Sequence, residues 1–201
     1  METFIIGALI LTSIIGLTFI VERGLALRWQ QVIPPGVEAA LENCRSAGEV
    51  ATLKQVCLGH PSPLSRLLVV AIEHLDQPRE ETVDALQTRA RHEIVKLERG
   101  LVVLEIIVGI GPLMGLTGTI IGMITLFGSL SEAGLGDSSV FAQGIAIALY
   151  ATLLGLIVAI PSLVAWSYYN RKVERMAVEI ATLTDEFLRR QHRLRGPANG
   201  R

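Results

Sequence analysis

The chain has 201 residues, of which 50% are hydrophobic, and a formal net charge of −1. This composition is too apolar for an ordinary soluble domain. The net charge says little about partners, although we expect no nucleic acid among them. The apolar residues concentrate in three blocks, Phe4 to Val21, Leu101 to Phe127 and Val140 to Tyr169. A helix needs about 20 residues to cross a hydrocarbon core, so we predict an all-α integral membrane protein with three transmembrane helices.

The first block could be mistaken for a secretory signal peptide. Such a peptide begins with a basic region and ends at a small-residue cleavage site. Here the block is preceded by Met1-Glu2-Thr3 and continues directly into Val21-Glu22-Arg23. We therefore expect a retained first membrane helix.

The basic residues predict the orientation of the spans. The segment from Glu22 to Gly100 holds ten of the 18 Lys and Arg residues, and the tail after Asn170 holds the other eight. Because basic loops stay in the cytoplasm, the N-terminus and the link near Ser129 to Ser139 should lie outside. The expected segments are the first span (1–22), a cytoplasmic helical region (23–99), the second span (100–130), a periplasmic link (131–139), the third span (140–170) and a cytoplasmic tail (171–201).

The cytoplasmic region is predicted to be helical and amphipathic. Pro34-Pro35-Gly36 should break the chain after the first span, one helix should follow from Val37 to Leu58, and His60-Pro61-Ser62-Pro63 should end it. No proline lies between Pro78 and Pro112, so a further helix should run directly into the second span. The third span should likewise continue into the tail until Gly196-Pro197. The second and third spans are therefore expected to extend into the cytoplasm as long helices.

Small residues recur on one side of the second and third spans. Gly111, Gly115, Gly118 and Gly122 lie within about 40° of one line on a helix. An interior glycine costs about 1 kcal/mol in a water-soluble helix, but in lipid small residues allow backbones to approach closely. The first span is bulky and should face lipid. We assign helix packing to nine residues, which are Gly111, Pro112, Gly115, Gly118, Gly122, Gly144, Ala148, Gly155 and Pro161.

The two apolar spans that carry these glycines contain no charged side chain and no histidine in their central parts. No acid, base or histidine lies between Ile106 and Leu130 or between Val140 and Tyr169. This pattern excludes a midplane proton relay, axial haem ligands and an intramembrane nucleophile paired with a base, so we predict no catalytic residue and no cofactor. If the chain conducts ions, the titratable group must come from another polypeptide.

Three polar side chains remain as candidates near the apolar spans. Thr119 and Thr152 could bond carbonyls of their own helix, or they could line a hydrated ion pathway. Glu105 could be a solvated interfacial carboxylate or part of a vestibule. Outside the spans, Cys57 and His60 have a ligand-like spacing, but a single pair of this kind favours ordinary thiols over a metal site.

Two long motifs carry a family resemblance. The run from Gly111 to Met123, GPLMGLTGTIIGM, resembles the APLLGLLGTVxGM signature of ExbB and TolQ proteins. The run from Gly144 to Pro161, GIAIALYATLLGLIVAIP, resembles their GIAEALxATxxGLxVAIP signature. Glu22-Arg23 after the first span is also similar to the family. The layout of spans and loops matches as well, so the resemblance covers nearly the whole chain.

The resemblance implies a motor subunit of the bacterial inner membrane. ExbB and TolQ proteins form pentamers around a dimer of a single-span partner, ExbD or TolR, whose membrane helix carries a proton-loading aspartate. The threonines that match Thr119 and Thr152 face that aspartate along the ion path. Proton flow drives work at the outer membrane through TonB- or TolA-like proteins.

One position departs from the family pattern, and other functions remain open. Ile147 stands where the family often has glutamate, so either that glutamate is dispensable or this pore is drier and its coupling differs. A specialised motor rather than an iron-uptake ExbB is also left open. A MotA-like stator is an alternative, although stators usually have four spans. A non-conducting membrane scaffold is another. A membrane enzyme is disfavoured by the missing ionisable residues.

Overall fold

The structure, a computed structural model, describes residues 2–133 and 138–195. In these ranges all regular secondary structure is helical, as predicted. Within the described residues, three helices are long and apolar enough to cross a membrane, over Phe4–Ala26, Leu101–Gly128 and Gly144–Leu194. The helices are α1 (Glu2–Ala26), α2 (Trp29–Val32), α3 (Pro35–Asn43), α4 (Val50–Gly59), α5 (Pro63–Glu73), α6 (Arg79–Glu98), α7 (Leu101–Ala133) and α8 (Ser138–Arg195).

The chain divides into two compact units. The first, which we call the apolar unit, comprises Met1–Gly24 and Gly100–Tyr169. The second, which we call the amphipathic unit, comprises Leu25–Arg99 and Asn170–Arg201. Part of the expected periplasmic link, residues 134–137, and the expected helix stop at Gly196-Pro197 lie outside the described residues.

In the apolar unit, α1 buries one side and exposes the other. Ile5 and Leu9 are 8% and 1% exposed, whereas Phe4 is 79% exposed. Much of the bulky surface of α1 is open, as expected for a helix that meets lipid. However, the helix also packs closely on its neighbours through Gly16, which the sequence analysis did not single out. A glycine between Ile15 and Leu17 was the available signal.

The amphipathic unit has a conventional hydrophobic core. Proline at the first helical position and a capping serine begin α5, where the Ser62 hydroxyl accepts a hydrogen bond from the Ser65 N–H at 3.1 Å. The helix then buries one face, and α8 completes the core. The buried side chains of α5 and α8 in this core are Leu64, Leu67, Leu68, Ala71, Met176, Ile180, Phe187 and Leu188.

The predicted helix from Val37 to Leu58 is divided in the structure. α3 ends at Asn43, a 3₁₀ turn spans Ala47–Glu49, and α4 begins at Val50. A capping box at Ser46 and Glu49 explains the division, because the Glu49 carboxylate accepts hydrogen bonds from the backbone N–H groups of Arg45 and Ser46. The break predicted at Pro34-Pro35-Gly36 is present, because Ile33 and Pro34 separate α2 from α3 and Pro35 is the first residue of α3.

The two predicted long helices differ in the structure. α8 is uninterrupted over 58 residues. The other is divided by a two-residue turn at Arg99 and Gly100. The Arg23 side chain from α1 packs over Gly100, where a Cβ would meet its guanidinium group. The absence of proline was therefore not enough to predict a continuous helix.

Candidate functional site

The glycines of α7 and α8 bring the two backbones into contact. A Cβ on Gly155 would lie 2.6 Å from the carbonyl oxygen of Gly111 and 3.0 Å from the Cα of Gly115. A Cβ on Gly115 would lie 3.0 Å from the carbonyl oxygen of Ala151. Such distances leave no space for a methyl group, so glycine is required here by close approach. We call this contact the glycine seam.

The glycine seam runs along most of the apolar part of both helices. Gly111 faces Ala159, Gly118 faces Ala151 and Gly122 faces Ala148. Further along, Leu126 packs against Gly144. Because rising residue numbers on α7 meet falling numbers on α8, the two helices are antiparallel. The small-residue stripes of both helices are thus used within one chain.

α1 covers one side of the glycine seam. Ile5 lies 3.6 Å from the position of a Cβ on Gly118. A Cβ on Gly16 would lie 3.3 Å from the Ser162 hydroxyl oxygen and 3.5 Å from Ile107. α1 therefore touches α7 and α8 on the same side of their contact.

Thr119 and Thr152 lie on the opposite side of the seam. Each follows a residue of the seam by one position, Gly118 in α7 and Ala151 in α8, and is displaced from it by about 100° around its helix. Because the helices are antiparallel and face each other, these two rotations lead to the same side. That side is the one that α1 leaves uncovered, and both threonines are half-buried there.

The two hydroxyl groups have different hydrogen-bond partners. Thr119 donates to the carbonyl of Leu116 in its own helix at 2.7 Å. Thr152 donates across the seam to the carbonyl of Gly115 at 3.4 Å, which is long for a hydroxyl donor. Thr119 is therefore satisfied locally, whereas Thr152 is weakly held. Both oxygens keep lone pairs that can accept a hydrogen bond.

The remaining candidate residues are Glu105, Ile147 and the two helix prolines, and they lie outside the closest contacts between α7 and α8. Glu105 is exposed on α7, and Ile147 is 42% exposed on α8. Pro112 and Pro161 stand inside α7 and α8, Pro112 half-buried and Pro161 exposed. Neither proline is part of the closest contacts of the glycine seam.

The pair considered as a metal site, Cys57 and His60, lies in the amphipathic unit. Burial raises the pKa of the Cys57 thiol to about 11, with a smaller opposing effect from a hydrogen bond to Ser65. That thiol therefore stays protonated at neutral pH. His60, three residues later in the sequence, is exposed. No group of three His, Cys, Asp or Glu side chains within the described ranges could hold a metal ion.

Among the described residues of this unit, Glu93 is the buried charged side chain. Its side chain is 2% exposed and accepts two hydrogen bonds from Arg66, at 2.9 Å and 2.6 Å. Arg89 and Lys96 lie 3.3 Å from its other oxygen. Burial alone would raise the pKa of this carboxyl group, but Arg66 and Lys96 together hold it below its ordinary value.

Comparison with known proteins places these features in a family. Residues 60–182 match the model of the MotA/TolQ/ExbB proton channel family. The ExbB-like 1 protein of Synechocystis sp., named for biopolymer transport, is 34% identical over 168 residues, which cover 79% of this chain and 63% of that protein. ExbB of Aquifex aeolicus is 33% identical over 112 residues, or 56% of this chain and 75% of that protein.

A Tol-Pal relative is similar to the same degree. TolQ of Haemophilus influenzae is 33% identical over 112 residues, which cover 56% of this chain and 49% of that protein. The chain thus spans about half to two thirds of the length of several relatives that it matches. The match to the family model covers more than half of the chain and includes α7 and the apolar part of α8. The chain therefore belongs to the MotA/TolQ/ExbB proton channel family.

Proposed function

We propose that the chain is the ion-conducting subunit of a proton-driven motor in the bacterial inner membrane. In this proposal the N-terminus lies outside, and several copies, five by family resemblance, form a ring in the lipid. A single-span partner of the ExbD or TolR type supplies the membrane aspartate. A TonB- or TolA-like protein carries the work to the outer membrane. Relatives named for biopolymer transport and for the Tol-Pal system support this assignment.

One observation carries the proposal. Thr119 and Thr152 lie on the same side of the α7–α8 pair, and α1 covers the other side. In a ring, the uncovered side can face a central partner helix. The apolar segments around both threonines contain no Asp, Glu, Lys, Arg or His. A carboxyl group from a partner would therefore be the titrating group, and Glu105 would stand in the vestibule at one end of the path.

The hydroxyl groups can serve both protonation states of such a carboxyl group. A protonated acid can donate its hydrogen bond to a threonine oxygen, whose own proton points to a backbone carbonyl. A carboxylate needs a donor instead, so the hydroxyl must rotate towards it. The long bond from Thr152 to Gly115 is easier to give up than the short bond of Thr119. An unpaired carboxylate in an apolar site costs several kcal/mol, so these bonds decide whether the proton can leave.

Threonine variants test the proposal. Valine keeps the shape of threonine and removes the hydroxyl, and serine keeps the hydroxyl. We expect Thr152→Val and Thr119→Val to reduce proton flux at least tenfold in proteoliposomes that contain the chain and its partner. Thr152→Ser should keep part of the flux. Co-purification with the partner shows whether each variant still assembles.

Thr117→Val is the matched control. Thr117 is exposed on another side of α7, where its hydroxyl donates to the carbonyl of Leu113 at 2.8 Å. The control should conduct as the wild type does. If both valine variants at positions 119 and 152 also conduct normally, their hydroxyls serve only local bonding. The short bond of Thr119 to Leu116 would then favour a non-conducting scaffold.

A further inference from the structure

Two prolines stand inside helices that cross the apolar unit, and each changes the backbone chemistry four residues earlier. Proline has no N–H group, so it cannot donate the helical hydrogen bond to that carbonyl. Pro112 in α7 leaves the carbonyl of Val108 without this bond, and Pro161 in α8 does the same to Ile157. In hydrocarbon a carbonyl without a donor is costly, so another group or a water molecule must replace the missing N–H.

The two carbonyls lie on different sides of the glycine seam. At about 100° per residue, Val108 and Pro112 lie about 60° and 100° from Gly111, on the side of Thr119. By the same count Ile157 and Pro161 lie about 160° and 120° from Gly155 on the far side of α8. Only the Val108 carbonyl is therefore on the side that α1 leaves uncovered.

The surroundings of Val108 leave room for a small polar molecule. Val108 and Pro112 are half-buried, and Glu105 on the same side is exposed. A Cβ added to the neighbouring Gly109 would meet nothing within 4 Å. Val108 lies about 4.5 Å along the helix from Glu105 and about 16 Å from Thr119, at 1.5 Å per residue. The carbonyl thus stands between the two polar side chains of this side of α7.

We propose that the Val108 carbonyl, freed by Pro112, binds a water molecule of the ion pathway between Glu105 and Thr119. The water donates a hydrogen bond to the carbonyl in place of the missing N–H. Pro112 then acts as a positioning residue for this water rather than in helix packing. The pathway role rests on the proposed function, whereas the hydration of the carbonyl does not.

The sequence allows the Val108 carbonyl to be observed alone. Val108-Gly109 is the only Val-Gly pair in the chain. Labelling of valine with carbonyl ¹³C and of glycine with ¹⁵N therefore selects one peptide group in solid-state NMR of the full chain in bilayers with its partner. We expect magnetisation transfer from water to this carbonyl in the wild type. Pro112→Ala restores an N–H donor and should abolish the transfer.

Pro161→Ala is the matched control, because it makes the same chemical change on the other side of the α7–α8 pair. It should leave the transfer at Val108 unchanged and the proton flux within twofold of the wild type. Pro112→Ala should lower the flux at least fivefold while the complex still co-purifies.

The outcomes distinguish hydration of the Val108 carbonyl from its role in the ion pathway. Absence of water transfer in the wild type would overturn the hydration site, even if Pro112→Ala fails to assemble. Normal flux in an assembled, dehydrated Pro112→Ala complex would overturn the role in the pathway. If the carbonyl is hydrated and Thr152→Val conducts normally, the threonine pathway is wrong and the water site remains.

Discussion

The apolar unit and the amphipathic unit are each stabilised by a different kind of internal contact. In the apolar unit the tightest contacts are between backbones, as where Gly155 meets the carbonyl of Gly111. In the amphipathic unit the contacts are between large side chains, and Leu64, Leu68 and Phe187 are at most 1% exposed. The same chain therefore uses the smallest residue to pack one unit and some of the largest to pack the other.

The difference follows from the surroundings that each unit is built for. In water, burial of a large apolar side chain stabilises by about 1.5–3 kcal/mol, so large residues make the core. In lipid the exposed and buried environments are equally apolar, and close packing of backbones becomes the available source of stability. The same substitution type should thus act differently in the two units.

The largest effect is expected from a cavity in the amphipathic unit. Leu68 is fully buried, and Leu68→Ala should lower the free energy of unfolding by about 2–5 kcal/mol because the removed methyl groups leave a void. Chemical denaturation of the detergent-solubilised chain measures this. Leu58→Ala, at a residue that is 59% exposed, is the control and should have a much smaller effect. Equal losses at both positions would show that the core of this unit does not limit stability.

Overpacking of the glycine seam should come next. Gly155→Ala places a methyl group 2.6 Å from the carbonyl oxygen of Gly111, and backbone cannot move aside as a side chain can. We expect a loss of about 1–3 kcal/mol in the free energy of unfolding, measured in the same way.

A glycine with open space around it provides the control for Gly155→Ala. Gly109→Ala adds a methyl group that meets nothing within 4 Å, and alanine is the better helix former by about 1 kcal/mol. This variant should be as stable as the wild type or more so. If Gly155→Ala behaves like Gly109→Ala, the seam is looser than its distances indicate.

The smallest effect is expected from the buried carboxylate of the amphipathic unit. Glu93→Gln removes the charge that Arg66 binds. A hydrogen bond to a charged group contributes about 1.5–3 kcal/mol, but the cations here are partly exposed, so we expect a loss of about 1 kcal/mol. Glu73→Gln, which removes one partner of the exposed pair with Lys54, should have little effect.

The pH dependence sharpens this prediction. The folded pKa of Glu93 lies below the ordinary carboxyl value of 4.5. Its stabilisation is therefore complete above that value and is lost as the pH falls through the folded pKa. The wild type should lose more stability than Glu93→Gln between neutral pH and about pH 3. Identical acid profiles for the two proteins would show that the pairing of Glu93 does not contribute.

Much of the helix pattern could be predicted, because hydropathy and periodicity are local. The buried face of α5, with Leu64, Leu67 and Leu68, matches the three- and four-residue spacing in the sequence. The division between α3 and α4 was missed although the capping box at Ser46 and Glu49 is also local, because the amphipathic pattern continues across it. The turn at Arg99 and Gly100 was missed as well, because no proline marks it.

The candidate site shows the same limit. The sequence by itself determined that Thr119 and Thr152 stand in apolar segments without Asp, Glu, Lys, Arg or His, because this can be read from composition alone. It also determined which faces of α7 and α8 carry small residues. Only the tertiary structure decided that these two faces meet each other and that α1 covers one side of the contact. The physical reason is that a helix face specifies what can approach it, whereas the neighbour that does approach is chosen by the packing of all three helices together.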